Sequence, residues 1–284
     1  MSDSLKPRAL LLGATSVVGF TLARRFPDLV AALANPHNRA ADGESWHRAR
    51  LDEPREWLPL LEAEPPRVVI YAHAVCDVGK CQQHPSWAQR MNVDSLAAIL
   101  TRLPASTRLV YLSSDHVFGG DGIYSESSIP TPISVYGETR VAAEQLVLGR
   151  HNTLVVRLGL PIGVSLNGRN GFYDWLRYRH ERGLPITVIA DEWRSAAWAN
   201  DIATRIIALA DSALTGIRHI PAAGAVARPA LATFLMHRQG LPARFEIRSR
   251  AEQPYPHLGR VEIASDYADE HALPLAPVIV QAAT

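Results

Sequence analysis

Short apolar runs alternate with segments of helical spacing along the first part of the chain. Five runs rich in Val, Ile, Leu and Ala lie at positions 8–12, 28–35, 64–74, 107–114 and 152–160. Between the third and fourth runs, large side chains recur at intervals of about 3.6, which predicts a helix whose apolar side carries Trp87, Met91, Leu96 and Leu100. Runs that are apolar throughout predict parallel strands covered on both faces. The pattern therefore predicts an α/β fold with a Rossmann-type doubly wound sheet.

The first run ends in a glycine-bearing turn, GATSVVG, at residues 13–19. Gly13 permits a sharp turn, Gly19 permits close helix packing, and the N-terminus of the next helix offers free N–H groups to a diphosphate. Ser16 stands at the central position, where glycine is usual; it leaves less room but adds a hydroxyl donor. The strand-turn-helix context supports a dinucleotide site, with predicted contacts from Gly13, Thr15, Ser16, Val17, Val18 and Gly19. A structural turn without a ligand is the alternative.

Cofactor choice is expected at the end of the second strand. An acid there would accept a hydrogen bond from a ribose hydroxyl, whereas a base would pair with a 2′-phosphate. The sequence has Asn35 and no acid, with His37 and Arg39 close behind. This favours NADP(H), with NAD(H) also possible, although Arg39 also fits a solvated surface charge. The remaining predicted cofactor contacts are Asp52 near the adenine, for which a surface loop is the alternative, and Ala72 and His73 at the end of the third run.

The regular alternation loosens after Gly163. We therefore predict an NAD(P)-binding Rossmann domain over residues 1–163. A smaller C-terminal substrate lobe is predicted over residues 164–284, with segments that cross back to the main sheet.

Composition excludes several classes of protein. The 29 basic and 28 acidic residues give a net charge of +1, with no basic stretch typical of a nucleic-acid footprint. The first residues lack a secretory apolar region, and no run reaches the roughly 18 apolar residues that span a membrane. We expect a cytoplasmic protein with reduced thiols.

The two cysteines lie in a pattern with metal-ligand spacing, formed by His73, Cys76, Cys81 and His84. Chance coincidence is the preferred interpretation, and no metal is predicted.

The segment YGETR, residues 136–140, carries the chemistry. Tyr136 and Arg140 are four positions apart, so on a helix they are neighbours on one face. A tyrosine has an ordinary pKa of about 10, and a fixed positive charge nearby eases its ionisation near neutral pH. The pair is therefore a candidate acid with its activating cation.

The chain resembles the extended short-chain dehydrogenase/reductases, within them the branch of dTDP-4-dehydrorhamnose reductase, which also includes the regulatory β subunit of methionine adenosyltransferase. The resemblance rests on GATSVVG, on MNVDSLA at residues 91–97, and above all on residues 111–147, YLSSDHVFGGDGIYSESSIPTPISVYGETRVAAEQLV. Weaker similarity continues through DEWRSAAWANDIA and GIRHIPAAG, so it covers the whole chain.

The resemblance implies a reductase site. Ser114 would bind the substrate carbonyl, with Ser113 able to exchange roles; Tyr136 would donate the proton; and Asn92 would support the geometry, an ordinary helix asparagine being its alternative. Arg140 stands where the family has lysine, which lowers the tyrosine pKa and holds the nicotinamide ribose, so the resemblance also implies cofactor contacts from Tyr136 and Arg140. Arginine keeps its charge but cannot lose a proton, so we expect a slow or specialised reductase, or a protein that binds cofactor without turnover.

The substrate cleft is the least defined part of the resemblance. His116 replaces the branch's usual tyrosine, and Ala197 replaces a usual threonine. Predicted substrate contacts are Ser113, Ser114, His116, Asn170, Phe172, Trp193 and Arg194, the last two for a sugar ring and a diphosphate. The aromatic residues, Trp175 included, fit the core of the smaller lobe equally well.

Three functions follow from these observations. The first is an NADP-preferring reductase of a keto group, on a nucleotide-sugar or a metabolite of similar size. The second is a cofactor-binding subunit that regulates a partner enzyme, favoured by Arg140, Ser16 and Ala197. An epimerase or dehydratase with tightly held NAD ranks third. A homodimer is expected only from the family.

Overall fold

The computed structural model describes residues 9–63 and 65–279. The segment before residue 9, which bears on the predicted lack of a leader, lies outside the described residues. So do Arg8 of the first predicted strand, position 64 of the third, and residues 280–284.

The chain forms fifteen strands and nine α-helices within the described residues. The strands are β1 (Ala9–Leu12), β2 (Val30–Ala34), β3 (His47–Arg48), β4 (Val68–Tyr71), β5 (Arg108–Leu112), β6 (Gly122–Tyr124), β7 (Thr153–Leu158), β8 (Leu160–Ile162), β9 (Thr187–Ile189), β10 (Trp193–Arg194), β11 (Ala196–Trp198), β12 (Gly216–Ile220), β13 (Val226–Ala227), β14 (Glu246–Arg248) and β15 (Arg260–Ile263). The helices are α1 (Val17–Arg25), α2 (Pro54–Ala63), α3 (Val78–Gln83), α4 (Pro85–Gln89), α5 (Ser95–Leu100), α6 (Val135–Leu148), α7 (Gly171–Glu181), α8 (Ala199–Asp211) and α9 (Arg228–Arg238).

Seven parallel strands form the main sheet, in the order β3, β2, β1, β4, β5, β7 and β12. The five predicted apolar runs contain β1, β2, β4, β5 and β7, which confirms the predicted fold class. Strand order reverses between β1 and β4, and such a reversal opens a crevice at the carboxyl ends of the strands.

Alternate side chains of the sheet enter two separate cores, because successive residues of a strand point to opposite faces. Leu11 of β1 packs with α1 and α8 on one face, and Leu12 packs with α2, α5 and α6 on the other. The strands are therefore buried on both sides, which explains why their sequences are apolar at every position.

The predicted helix over residues 86–100 is interrupted. A π-helical turn at Arg90–Asp94 joins α4 to α5. The wider turn shifts the helical face, so that Asn92 is fully buried while Met91 remains half-buried. Single π-turns of this kind are often found at functional sites. The simple 3.6-residue spacing missed this shift.

The remaining strands form three small sheets, of which the largest has the order β13, β10, β15 and β6. The main sheet takes β12 from the later part of the chain, while this small sheet takes β6 from the earlier part. The domain boundary between residues 163 and 164 stays a prediction. Within residues 9–63 and 65–279, no helix combines the length and apolarity needed to cross a lipid bilayer.

Candidate functional site

The turn after β1 is shaped by two glycines that tolerate no side chain. Gly13 has a φ of +101°, and a Cβ there would lie 2.5 Å from the backbone nitrogen of His73. A Cβ on Gly19 would lie 2.2 Å from the carbonyl oxygen of Gly13. Ser16 caps α1: its hydroxyl accepts from the Gly19 N–H at 3.0 Å and donates to the Gly13 carbonyl at 3.2 Å. The extra hydroxyl expected to bind phosphate is thus used by the turn itself.

The loop after β2 is held by an arginine that the sequence did not single out. Arg48, at the end of β3, donates to the carbonyl oxygens of Pro36 at 3.0 Å and Asn38 at 2.9 Å. The Asn35 carboxamide accepts from the His37 N–H at 2.9 Å, which bends the chain directly after the strand. Arg39 is exposed on this loop, and Asp52 is exposed beyond β3.

Tyr136 lies in the first turn of α6, with Ser134 as its N-cap. The side chain is buried, 6% exposed, and its ring meets that of His116 edge-on at 5.1 Å between centroids. Burial raises the pKa of Tyr136, while the Arg140 charge and a hydrogen bond with Ser114 act to lower that pKa. The two predicted partners of Tyr136 therefore lie around the same phenol.

The two neighbouring serines differ in what they contact. Ser113 is buried and its hydroxyl donates to the carboxylate of Glu144, which also forms a bidentate pair with Arg157. Ser114, by contrast, is only half-buried; its hydroxyl donates to the Asp115 carboxylate at 3.2 Å and accepts from the His116 N–H at 3.3 Å. This geometry favours Ser114 over Ser113 as the hydroxyl that faces a substrate.

Asn92 braces the segment that follows β4. Its carboxamide accepts from the Val75 N–H at 2.8 Å and donates to the Val75 carbonyl at 3.1 Å. It also donates to the Thr139 hydroxyl of α6 at 2.9 Å. Fully buried, Asn92 ties that segment to the helix that carries Tyr136.

Arg194 lies inside a buried charge cluster. It donates to Asp115 through Nε at 2.7 Å and again through Nη2, and to Glu192 through Nη1 at 3.1 Å. These pairs use three of the five guanidinium N–H donors, and the side chain is buried, so the acidic partners already compensate most of the charge predicted to meet a substrate diphosphate. The sequence did not identify Glu192, whose carboxylate also lies within ion-pair distance of Arg228 and His257.

The other predicted substrate residues are dispersed. Phe172 is buried in the core of the later segments, beneath the Arg228 guanidinium and stacked with Trp175, as the core alternative expected. Asn170 is an exposed N-cap of α7. Trp193 is 36% exposed and borders a cleft of about 530 Å³. Of this group, Trp193 has the accessible ring that a ligand could contact.

The histidine and cysteine pattern does not gather into a metal centre. Cys81 is fully buried among apolar side chains, whereas Cys76 and His84 are exposed. Over the described part of the chain, no three His, Cys, Asp or Glu side chains are grouped to hold a metal ion.

We expect His116 and His73 to make the free energy of unfolding depend on pH. Burial lowers the pKa of each from 6.5 to about 4. The unfolded chain then binds more protons than the folded chain between these values, so the free energy of unfolding should fall as pH decreases from about 6.5 to about 4. His116→Gln should flatten this slope, measured by urea unfolding at several pH values. Exposed His84→Gln is the control; an equal flattening there would contradict the assignment to His116.

Comparison with known proteins places this geometry in a family. The family model described as RmlD substrate binding domain matches residues 7–260. The chain belongs to this family. It is an extended short-chain dehydrogenase/reductase of the RmlD-like branch, as the sequence resemblance predicts.

Relatives of this RmlD-like chain differ in role. It is 32% identical over 227 residues to "Probable dTDP-4,6-dihydroxy-2-methyloxan-3-one 4-ketoreductase" of Streptomyces antibioticus, covering 76% of this chain and 72% of that protein. It is 29% identical over 167 residues to methionine adenosyltransferase 2 subunit beta of Bos taurus, covering 55% of this chain and 46% of that protein. In fold, it matches dTDP-4-dehydrorhamnose reductase of Bacillus anthracis in complex with NADP, with a TM-score of 0.75, 22% identity, and coverage of 91% and 90%.

Proposed function

We propose that the protein is an NADPH-preferring reductase of a keto group on a nucleotide-sugar. The observation that carries this proposal is the buried phenol of Tyr136, with the Ser114 hydroxyl beside it and a cation one helical turn away. Such a phenol, placed near the carboxyl edge of a doubly wound sheet, is arranged to give a proton to a carbonyl oxygen.

The residues around the crevice fit a dinucleotide. Because Gly13 has no Cβ, its backbone can approach the backbone of His73 closely, and α1 begins directly after this turn. The N-terminus of α1 therefore presents N–H groups and a positive dipole end to a diphosphate. When bound, nicotinamide supplies hydride to the carbonyl carbon.

The protein's own groups complete the reduction. Ser114 would donate a hydrogen bond to the carbonyl oxygen and thereby orient the substrate. Tyr136 would pass its hydroxyl proton to that oxygen as negative charge develops there. Arg140 would stabilise the resulting phenolate, since its guanidinium keeps a positive charge throughout.

The test is NADPH oxidation by the purified protein with dTDP-4-dehydrorhamnose as substrate. The native protein should turn over, and Arg140→Lys should not exceed it. Turnover that appears only in Arg140→Lys, with none in the native protein, would reject the reductase proposal.

A non-catalytic, cofactor-binding regulatory subunit is the second candidate. It is favoured by the replacement of lysine by Arg140 and by the similarity to methionine adenosyltransferase 2 subunit beta. NADPH binding without oxidation in the presence of any keto sugar nucleotide, together with stable association with a methionine adenosyltransferase, would support it over the reductase.

Arg39 gives a prediction for cofactor choice. The exposed guanidinium lies on the loop after β2 with no acid at the strand end, so it is placed to pair with a 2′-phosphate. Arg39→Ala should weaken NADPH binding about tenfold, a loss of about 1.4 kcal/mol, and leave NADH binding nearly unchanged. Nicotinamide fluorescence titration measures both; Arg25→Ala, another exposed arginine, is the control. Equal losses for the two cofactors would contradict a 2′-phosphate contact.

A further inference from the structure

Two tyrosines lie side by side beneath α6. Tyr71 of β4 and Tyr111 of β5 are partners in the register of adjacent parallel strands, so their side chains project from the same face of the sheet. Their ring centroids are 5.8 Å apart with planes tilted by 31°, and both rings are fully buried. We call this pair the tyrosine seat.

The Arg140 guanidinium rests on the seat. Its central carbon lies 4.7 Å from the centroid of the Tyr111 ring and 6.0 Å from that of Tyr136. One guanidinium nitrogen donates to the Leu112 carbonyl at the end of β5. The side chain is 2% exposed. The cation is therefore held between the sheet and the phenol that the proposed reaction uses.

This burial is unusual because, among the described residues, no carboxylate pairs directly with the charge. Among the described residues, Arg140 forms no ion pair, and Glu144 on the next turn of α6 is engaged with Arg157. Two guanidinium nitrogens, Nε and Nη1, also have no hydrogen-bond partner within the described part of the chain. The direct contacts of the guanidinium are with two aromatic rings and one carbonyl oxygen, while the Glu144 carboxylate acts on it from the next helical turn without a direct ion pair.

Arginine is the cation suited to such a place. A guanidinium is planar and weakly hydrated, and it stacks on aromatic rings, whereas an ammonium is compact, strongly hydrated and prone to lose its proton when buried. Burial acts to lower the pKa of Arg140, but the neighbouring acidic groups, the Glu144 carboxylate among them, raise it overall, and a guanidinium keeps its proton in proteins. The guanidinium therefore remains charged beneath Tyr136.

We propose that Tyr111, braced by Tyr71, is a positioning residue of the active site: its ring holds the Arg140 guanidinium beneath Tyr136 and makes arginine the working cation of this chain. The inference rests on the proposed function in that it gives the role of this cation in the same site. It depends on the ring face of Tyr111 rather than on its hydroxyl, which has no hydrogen-bond partner among the described residues.

The test measures ionisation of Tyr136 by tyrosinate absorbance. Each variant is titrated beside the same variant carrying Tyr136→Phe, so that the difference isolates this one phenol. In Tyr111→Met the guanidinium loses its ring, and the pKa of Tyr136 should rise by roughly one unit or more. Tyr111→Phe keeps the ring and should leave the pKa of Tyr136 unchanged. Arg140→Met should reproduce the shift of Tyr111→Met.

Reduction kinetics give the second readout. Reduction needs protonated Tyr136, so its rate declines as pH rises through the pKa of that phenol; a raised pKa moves the decline to higher pH. Tyr111→Met should show this displacement and a kcat lower by about tenfold, because the phenol is a weaker acid. The KM for NADPH should change less than twofold, and Tyr111→Phe should restore native behaviour.

Two results would overturn the inference. One is an unshifted pKa of Tyr136 in Tyr111→Met, or in Tyr111→Leu should the methionine variant not fold. The other is a shift in Tyr111→Phe as large as that in Arg140→Met. The titration needs no turnover. An inactive native protein would therefore reject the reductase proposal and leave the role of Tyr111 to be decided by the titration. Native turnover with no pKa shift rejects the seat alone.

Discussion

Tyr136→Phe is expected to lower kcat for NADPH-dependent ketone reduction by a factor of about 10² to 10⁴, the range typical of a lost general acid. Phenylalanine preserves the ring that meets His116 and fills the same buried volume, so only the proton donor disappears. The dissociation constant for NADPH should stay within about threefold of the native value, because the proposed diphosphate site lies at the Gly13 turn. Steady-state kinetics and a fluorescence titration measure the two quantities separately.

A matched control is available in Tyr267, which is 43% exposed and lies beneath the Arg218 guanidinium. Tyr267→Phe should leave kcat unchanged. If Tyr136→Phe retains more than about a tenth of native kcat, a different group delivers the proton and the mechanism proposed for Tyr136 is wrong.

Glu144→Gln should produce the largest loss of stability, about 3–5 kcal/mol in the free energy of unfolding. Glu144 and Arg157 are almost fully buried, with side chains 3% and 2% exposed, and their closest contact is 2.7 Å. Removing the negative charge of Glu144 leaves the Arg157 guanidinium buried beside Phe118 and His219. Its positive charge then lacks the carboxylate that compensates it in the native protein. Urea unfolding monitored by circular dichroism measures the loss.

The double substitution Glu144→Gln with Arg157→Met tests whether the loss of stability comes from leaving one buried charge without its partner. Once both charges are gone, neither is left uncompensated, so the double variant should lose less stability than the sum of the two single variants. Exposed Arg248, paired with Glu246, supplies the control: Glu246→Gln should leave the free energy of unfolding nearly unchanged, because solvent screens an exposed pair. A Glu144→Gln loss as small as that of the control would contradict the buried-pair argument.

Local patterns were sufficient to predict the fold class and to place the candidate acid Tyr136 on one helix with Arg140. The apolar runs identified β1, β2, β4, β5 and β7, because strands buried on both faces show their environment in every residue. The spacing of Tyr136 and Arg140 also needed only the geometry of one helix.

Pairings between distant segments could not be predicted in the same way. Tyr71 meets Tyr111 only because β4 and β5 adopt one register, and Asp115 meets Arg194 across 79 positions of sequence. The π-turn at Arg90–Asp94 was not predicted either, because no distinct residue pattern marks such a turn. It nevertheless changes which side chains face inward. The roles of the site residues, Ser114 and Arg140 among them, stay predictions until the proposed variants are measured.

The exchange of strands between sheets bears on how this chain could evolve. Because β12 closes one edge of the main sheet against β7, and β6 lies at an edge of a small sheet beside β15, each part of the chain supplies backbone partners to the other. A cut after residue 163 would expose the full edge of β7, an apolar parallel strand of the type that associates with other chains. We therefore expect recombination between relatives at this point to join sheets with mismatched edges.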